Sequence, residues 1–364
     1  MKFFCVKENI ERALVIAERF TGKNLTLPIL ANVLLEVRGN EMSVTATNLE
    51  YGVEIKIPGR GGREGKVSVP AKVLNSLLQS LQEDKVEFEE KQGNLYIRSD
   101  LRESRINGIN PEEFPLIPKI KKTASATIEA ASLKDGLQKI LPAVSTSEFK
   151  PELTGIYFYV TPREIRLAAT DTFRLAEKTF PLKGKNEEKF SFILPQRVAL
   201  ELSRAISAAE KVEVSMGDNQ VVFETDGAKI VSRLIEGNFP EYSGIIPKTF
   251  GITSFVKRDE LLRAVRSASI FSSKIQEVIL RFNEEEVEIS SANTEVGEHK
   301  VSIPISATGK GISISFNYRY LLDGLNSLDE EEIFVGINGE NSPSLLKNKS
   351  SGSFQYVLMP IRLS

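Results

Sequence analysis

Asp171, Thr172 and Arg174 stand together in the stretch LAATDTFRLAEKTFP, Leu167 to Pro181. A carboxylate, a hydroxyl and a guanidinium at that spacing could serve acid–base chemistry or hold a metal for hydrolysis or group transfer. Such chemistry needs further groups, and the chain is poor in them. His299 is the single histidine and has no serine motif beside it, so a Ser-His-Asp triad has no natural components. The basic stretch GRGGREGKV, Gly59 to Val67, invites comparison with a phosphate loop. It fails because Arg60 takes the first glycine's place and Val67 stands where Ser or Thr must bind magnesium. Cys5 is the only cysteine, which excludes an internal disulfide and a Cys-rich zinc site. No catalytic residue, metal or cofactor is expected, and a metal-dependent hydrolase or transferase using Asp171 stays as the enzyme alternative.

The elements that position Asp171 explain it better. The stretches FFCVKENIERALVIAERF, ATIEAASLKDGLQKILPAVS and SFVKRDELLRAVRSASIFS each read as an alternating strand, a polar break and an amphipathic helix. Each is followed by a three-strand meander ending in proline, with turn tokens Thr47-Asn48, Thr170-Asp171 and Ala292-Asn293. The spacing from Asn48 to Asp171 is 123 positions, and from Asp171 to Asn293 it is 122. A second strand-helix passage repeats as well: VSVPAKVLNSLLQSL, FILPQRVALELSRAI and ISFNYRYLLDGLNSL. The chain therefore reads as three copies of a domain of about 120 residues, long enough for each to bury a core. Since the turn recurs, Asp171 reads as a residue whose carboxylate caps local backbone groups. Arg174 is peculiar to the middle copy, which favours a functional role for it.

Composition narrows the class further. Of 364 residues 41% are apolar and 26% charged, with 47 basic against 49 acidic, giving a net charge of −2. Any nucleic-acid role must then confine positive charge to one face. Basic residues gather on or near the six helices: Arg12, Arg19, Lys72, Lys134, Lys139, Arg197, Arg204, Lys257, Arg258, Arg263, Arg266 and Arg319. Acidic runs fall in hairpins and loops. No apolar run approaches the roughly 20 residues that span a membrane, and the start MKFFCV is too short for a signal core, so the cytoplasm is expected. Sheets joined edge to edge in a row leave two free ends. If each domain turns by about 60°, two chains closing head to tail remove every edge.

The passages ATDTFRLA, LTLPILANVLLEV, NFPEYSGIIPK and YVLMPIRLS resemble, jointly and in order, the bacterial DNA polymerase III beta subunit, the replication sliding clamp family. The resemblance runs from Met1 to the C-terminus. It implies an α+β fold of three tandem clamp domains, at residues 1–121, 122–248 and 249–364, with helices inside and antiparallel sheets outside. It further implies a head-to-tail dimeric ring around duplex DNA. The partners implied are the polymerase alpha subunit, the clamp loader and other proteins carrying a short clamp-binding peptide with Leu and Phe anchors. Membership of that holoenzyme does not supply a polymerase site, and no residues here support one. The competing binding-class reading is a triplicated β-rich scaffold that forms no ring.

The resemblance also implies sites. A peptide pocket is expected from Leu153, Thr170, Thr172, Phe173, Arg174, Leu175, Pro240, Ile245, Ser344, Val357, Leu358, Met359, Pro360 and Arg362. The residues expected to face DNA are Lys23, Asn24, Ser147, Lys150, Arg197, Arg204, Arg263 and Arg266. Ile270 and Phe271 are expected to pack against the first domain's last hairpin near Arg105 and Ile106. Two departures bear on the pocket. Family members often carry Ser or Gly then His where this chain has Thr172-Phe173, and Gly244 stands where some carry Arg.

Overall fold

Each third of the chain runs through the same order of elements, with a further short strand after the meander in the first and third among the described residues. The first has β1 (Lys2–Val6), α1 (Lys7–Ala17), a meander of β2 (Asn32–Arg38), β3 (Glu41–Thr47) and β4 (Tyr51–Pro58), then a short β5 (Arg60–Arg63). It continues with β6 (Gly65–Pro70), α2 (Ala71–Ser80), β7 (Lys85–Lys91), β8 (Asn94–Arg98) and β9 (Glu103–Ile106). The second has β10 (Ala124–Glu129), α3 (Ala130–Ile140), β11 (Gly155–Val160), β12 (Glu164–Thr170) and β13 (Arg174–Pro181). After these come β14 (Phe190–Pro195), α4 (Gln196–Ala205), β15 (Lys211–Met216), β16 (Gln220–Glu224) and β17 (Ala228–Arg233). The third has β18 (Ile252–Lys257), α5 (Arg258–Ser269), β19 (Glu277–Phe282), β20 (Glu286–Asn293), β21 (Gly297–Pro304) and β22 (Ser306–Thr308). It ends with β23 (Ile312–Asn317), α6 (Tyr318–Asn326), β24 (Glu332–Ile337), β25 (Ser344–Asn348) and β26 (Phe354–Leu358). This computed structural model describes residues 1–22, 26–100, 102–117, 120–182, 188–206 and 209–362.

Local sequence accounts for these elements. Helix α1 buries Ile10, Ala13, Leu14 and Ala17, and α5 buries Leu261, Ala264, Val265 and Ala268 at the corresponding four positions. In α3 those positions are Leu133, Gly136, Leu137 and Ile140, again all buried. One apolar stripe at helical spacing thus seats the first helix of every repeat on its sheet. Asn317 caps α6 by accepting from the backbone N–H groups of Arg319 and Tyr320. Gly324, inside that helix, lets it lie close on β26, since a Cβ there would come within 2.6 Å of the Tyr356 ring.

The ladders are antiparallel, and two of the sheets run through repeat boundaries. Strand β4 pairs with β17, so that one eight-stranded sheet has the order β10-β15-β16-β17-β4-β3-β2-β6. Strand β13 pairs with β26 in a nine-stranded sheet, β14-β11-β12-β13-β26-β25-β24-β18-β22. The outer sheets are shorter, β5-β1-β7-β8-β9 and β21-β20-β19-β23. The chain consequently divides into two compact units that ignore the repeat boundaries. One gathers Met1–Lys134, Leu182–Lys189 and Arg197–Leu234; the other gathers Asp135–Pro181, Phe190–Gln196 and Ile235–Ser364. Each unit is organised around one junction between repeats, because continuous main-chain hydrogen bonding crosses there. Among the described residues, no helix is long and apolar enough to cross a membrane.

Candidate functional site

The turn between β12 and β13 is built from its own side chains. Asp171 Oδ1 accepts from the backbone N–H of Phe173 at 3.0 Å and of Arg174 at 2.9 Å. Thr170 Oγ1 donates to the Arg174 carbonyl at 2.7 Å and accepts from the Thr172 N–H at 3.1 Å. These bonds hold Thr172 at φ 78°, a left-handed conformation unusual for a non-glycine residue. The remaining Asp171 oxygen pairs with Arg174 Nε at 2.9 Å. Asp171 is therefore committed to shaping a turn, which answers the enzyme reading of this cluster.

Arg174 reaches further. Its Nη1 bonds Asp323 of α6 and the Tyr356 hydroxyl, and its guanidinium lies 4.2 Å from the Tyr320 ring centre. Burial works against this charge, but the neighbouring Tyr356 and the two aspartates raise its pKa above the ordinary arginine value. The Tyr356 hydroxyl donates in turn to the Tyr320 carbonyl at 2.9 Å.

Beside this turn lies a groove of about 520 Å³. Nine of the expected pocket residues line it: Leu153, Thr170, Thr172, Arg174, Leu175, Pro240, Ile245, Val357 and Met359. The other five do not. Leu358 and Ser344 are buried in the sheet, because side chains alternate across a strand and Val357 takes the groove face. The Phe173 ring, though exposed, lies outside the lining and faces Tyr320 at 6.5 Å. Pro360 and Arg362, in the tail after β26, are also outside the lining. Sequence reasoning missed Glu152, Tyr242 and Pro343 as lining residues, and Lys150, expected to face DNA, also lines the groove. The Pro151–Leu153 turn, whose Leu153 N–H bonds the Lys150 carbonyl at 2.9 Å, brings these residues to the rim.

Under the groove Ala168, Leu175, Tyr242, Leu345 and Val357 form an apolar cluster, with Phe239, Ile246 and Phe250 of the linker packed onto it. Tyr242 donates to Glu177 Oε2 at 2.7 Å. Burial and that carboxylate push the Tyr242 phenol well up, and burial does the same at Tyr356 against the pull of Arg174. Both protons are thus held more tightly by the folded chain than by the unfolded one. The stabilisation they bring is complete below the ordinary tyrosine value of 10.0 and drains away as pH rises above it. Thermal melts are expected to fall steeply above about pH 10, less steeply in Tyr242→Phe. At neutral pH that variant leaves Glu177 short of a donor and is expected to lose about 1–3 kcal/mol in urea unfolding.

The basic residues separate into free and committed ones. Arg197, Arg263 and Arg266 are exposed, and no carboxylate lies within ion-pair distance of them among the described residues. Arg197 donates to the Arg19 carbonyl at 3.4 Å and Arg266 to Asn326 Oδ1 at 3.5 Å. Arg204 is half-exposed and bonds Glu201 at 2.9 Å, which also takes Arg19 at 3.5 Å. Ser147 is exposed. Lys23 and Asn24 lie outside the described residues. Lys139, expected on a polar helix face, is instead 7% exposed and clasped by Asp135 and Asp329. Its place at the packed junction of the second and third repeats removes it from the solvent-facing set.

The expected interface residues lie on or beside two sheet edges. Strands β9 and β21 each pair on one side only. Ile270 is 70% exposed just after α5, and Phe271 stacks on His299 of β21 with ring centres 5.7 Å apart. Arg105 is exposed on β9, whereas Ile106 is buried in its own sheet and offers only its backbone.

Comparison with known proteins follows this architecture. Residues 1–118, 127–241 and 243–362 match, in order, the N-terminal, central and C-terminal domains of the DNA polymerase III beta subunit. The chain is 29% identical over 350 residues to the beta sliding clamp of Staphylococcus epidermidis, covering 93% of each protein. The solved DNA polymerase sliding clamp of Bacillus subtilis is 27% identical, with a TM-score of 0.93 over the whole of both chains. The solved beta subunit of Thermotoga maritima is 25% identical, also with a TM-score of 0.93 and complete coverage.

Proposed function

The chain belongs to the DNA polymerase III beta subunit family, and from that membership we propose that it is a sliding clamp. It is a non-catalytic processivity factor that encircles duplex DNA as a head-to-tail homodimer and tethers the polymerase to its template. Its three clamp domains are assigned to residues 1–121, 122–248 and 249–364, and its compartment is the cytoplasm.

The observation that carries the ring is a repeated junction with one pair of ends left over. In both internal junctions the third meander strand of one repeat, β4 or β13, pairs antiparallel with the last strand of the next, β17 or β26. The remaining strands of those two kinds are β21 and β9, the unpaired edges. Register transfers as well. Val53 lies opposite Ile230 and Ala176 opposite Tyr356. The corresponding residues are His299 and Ser104, so a second copy brings Arg105 opposite Glu298 and Glu103 opposite Lys300. Both pairs are complementary in charge. The helices agree. Val198 of α4 is fully buried at the first internal junction, while Val73, its counterpart in α2, is 52% exposed. Ile270 stands at the position that Arg19 holds against Glu201 of α4.

In this reading Arg197, Arg204, Arg263 and Arg266 face the duplex, with Ser147 at the rim. Each fixed phosphate contact steepens the salt dependence of binding by a slope of about 0.9, so a clamp that slides keeps such contacts few. The groove beside Arg174 takes the extended clamp-binding peptide of the polymerase alpha subunit, the clamp loader and other partners. Its leucine and phenylalanine anchors suit the apolar floor, and Met359 adapts to different side chains.

The test is topological. Protein loaded by a clamp loader onto nicked circular plasmid should remain bound through gel filtration and leave once the plasmid is cut to a linear form. Equal retention on circular and linear DNA would mean ordinary charge-driven binding and would end the ring reading.

A further inference from the structure

We propose that the junction between the first and second repeats carries a second docking site for an extended apolar peptide, one flanked by lysine or arginine. The proposal rests on the reading of the Arg174 groove as a peptide site and adds another site in the other compact unit. The frame of that groove is rebuilt there bond for bond. The Met359 N–H bonds the Phe173 carbonyl at 2.8 Å, and the Arg233 N–H bonds the Glu50 carbonyl at 2.8 Å. The Arg174 N–H bonds Asp171 Oδ1 at 2.9 Å, and the Tyr51 N–H bonds Asn48 Oδ1 at 2.9 Å. The Leu153 N–H bonds the Lys150 carbonyl at 2.9 Å, and the Leu30 N–H bonds the Leu27 carbonyl at 3.1 Å. Leu49, like Thr172, is held at positive φ, 77° against 78°.

On this repeated frame two polar members of the first groove become leucines and one apolar member is kept, while the exposed Arg233 takes the place of Met359. Leu27 stands in the place of Lys150, Leu49 in that of Thr172, and Leu116 in that of Ile245. They are 44%, 47% and 91% exposed. A leucine that is both exposed and held in the left-handed region serves neither folding nor solubility, since asparagine would do better at that spot. Three such side chains on a frame already shaped for an extended chain make a set of anchoring points. Glu50, next to Leu49 in the chain, and Glu113, three residues before Leu116, are both exposed and without an ion-pair partner among the described residues. These carboxylates call for cationic residues flanking the anchors. The floor is shallower than in the first groove. Gly52 replaces Leu175, and Ile117 fills the space, its Cδ1 lying 3.0 Å from where a Gly52 Cβ would be. Weaker binding than at the first groove follows.

The experiment is calorimetric titration of the full chain with a ten-residue synthetic peptide carrying two leucines and a phenylalanine between lysine pairs. About two sites per chain are expected, the weaker by roughly tenfold or more. Leu116→Asp and Leu49→Asn should each weaken only the weaker site by about tenfold, and Met359→Asp only the stronger. Leu116 is almost wholly exposed and asparagine accepts the Leu49 backbone, so both variants keep the fold. Flanking glutamates in place of lysines should weaken the second site selectively. One site per chain, lost in Met359→Asp and unmoved by Leu116→Asp, overturns this proposal and leaves the groove reading standing. No binding by the unaltered chain overturns both.

Discussion

Ile270→Asp is expected to leave the protomer folded and to abolish the dimer. The side chain is 70% exposed in the single chain, so its replacement should change protomer stability by no more than about 0.5 kcal/mol. In the proposed ring it is the anchor between α5 and the α2 face that bears Val73. Truncating such an anchor and placing a carboxylate there weakens each contact by about 3 kcal/mol, roughly a hundredfold. A closed dimer has two such contacts, so self-association should fall by about four orders of magnitude. Sedimentation at micromolar concentration should show a monomer with an unshifted melting temperature, and loaded protein should no longer be held on circular plasmid. A variant that still sediments as a dimer would place the interface elsewhere. The strand register has its own check. Arg105→Glu alone sets two carboxylates against each other across β9 and β21, and Glu298→Arg on the same background restores the pair.

The parts of this architecture that were legible in the sequence were the periodic ones. Offsets of 122 to 123 positions between Asn48, Asp171 and Asn293 located the repeats, because each must seat the same helix and turn on the same sheet. The groove's apolar members, Val357, Met359, Leu153 and Ile245, followed from resemblance. What escaped was set by direction and by partners distant in sequence. Leu358 and Ser344 fall on the buried side of strands whose facing is fixed only by pairing with β13. Phe173 follows a turn whose left-handed residue turns the ring toward Tyr320 rather than into the groove. Lys139 looks like any basic residue on a polar helix face. Only the approach of Asp329, 190 positions later, shows that the charge is enclosed. Likewise, nothing in the linear pattern announces that β4 and β17 share a ladder, and so that the compact units straddle the repeats.

Arg174→Met is expected to cost about 3 kcal/mol. The guanidinium is 11% exposed and joins three elements: the turn through Asp171, helix α6 through Asp323, and strand β26 through Tyr356. Methionine fills most of the volume but leaves the largely enclosed Asp171 carboxylate without its cation, while Asp323, 41% exposed, falls back on water. Urea unfolding of Arg174→Met should therefore show a large fall in midpoint. Arg174→Lys should fall between, since an ammonium cannot fork between Asp171 and Asp323 while lying over the Tyr320 ring. An unchanged midpoint would mean that the contacts are individually worthless. The same network predicts how the groove responds. Arg174 lines the groove, so its loss confounds direct contact with a loosened turn. Asp323 does not line it. If Arg174 acts by fixing the Thr172 turn, Asp323→Asn alone should weaken peptide binding several-fold, about 1 kcal/mol, without removing any groove-lining group. If peptide affinity is untouched, the contribution of Arg174 is made at the groove wall itself.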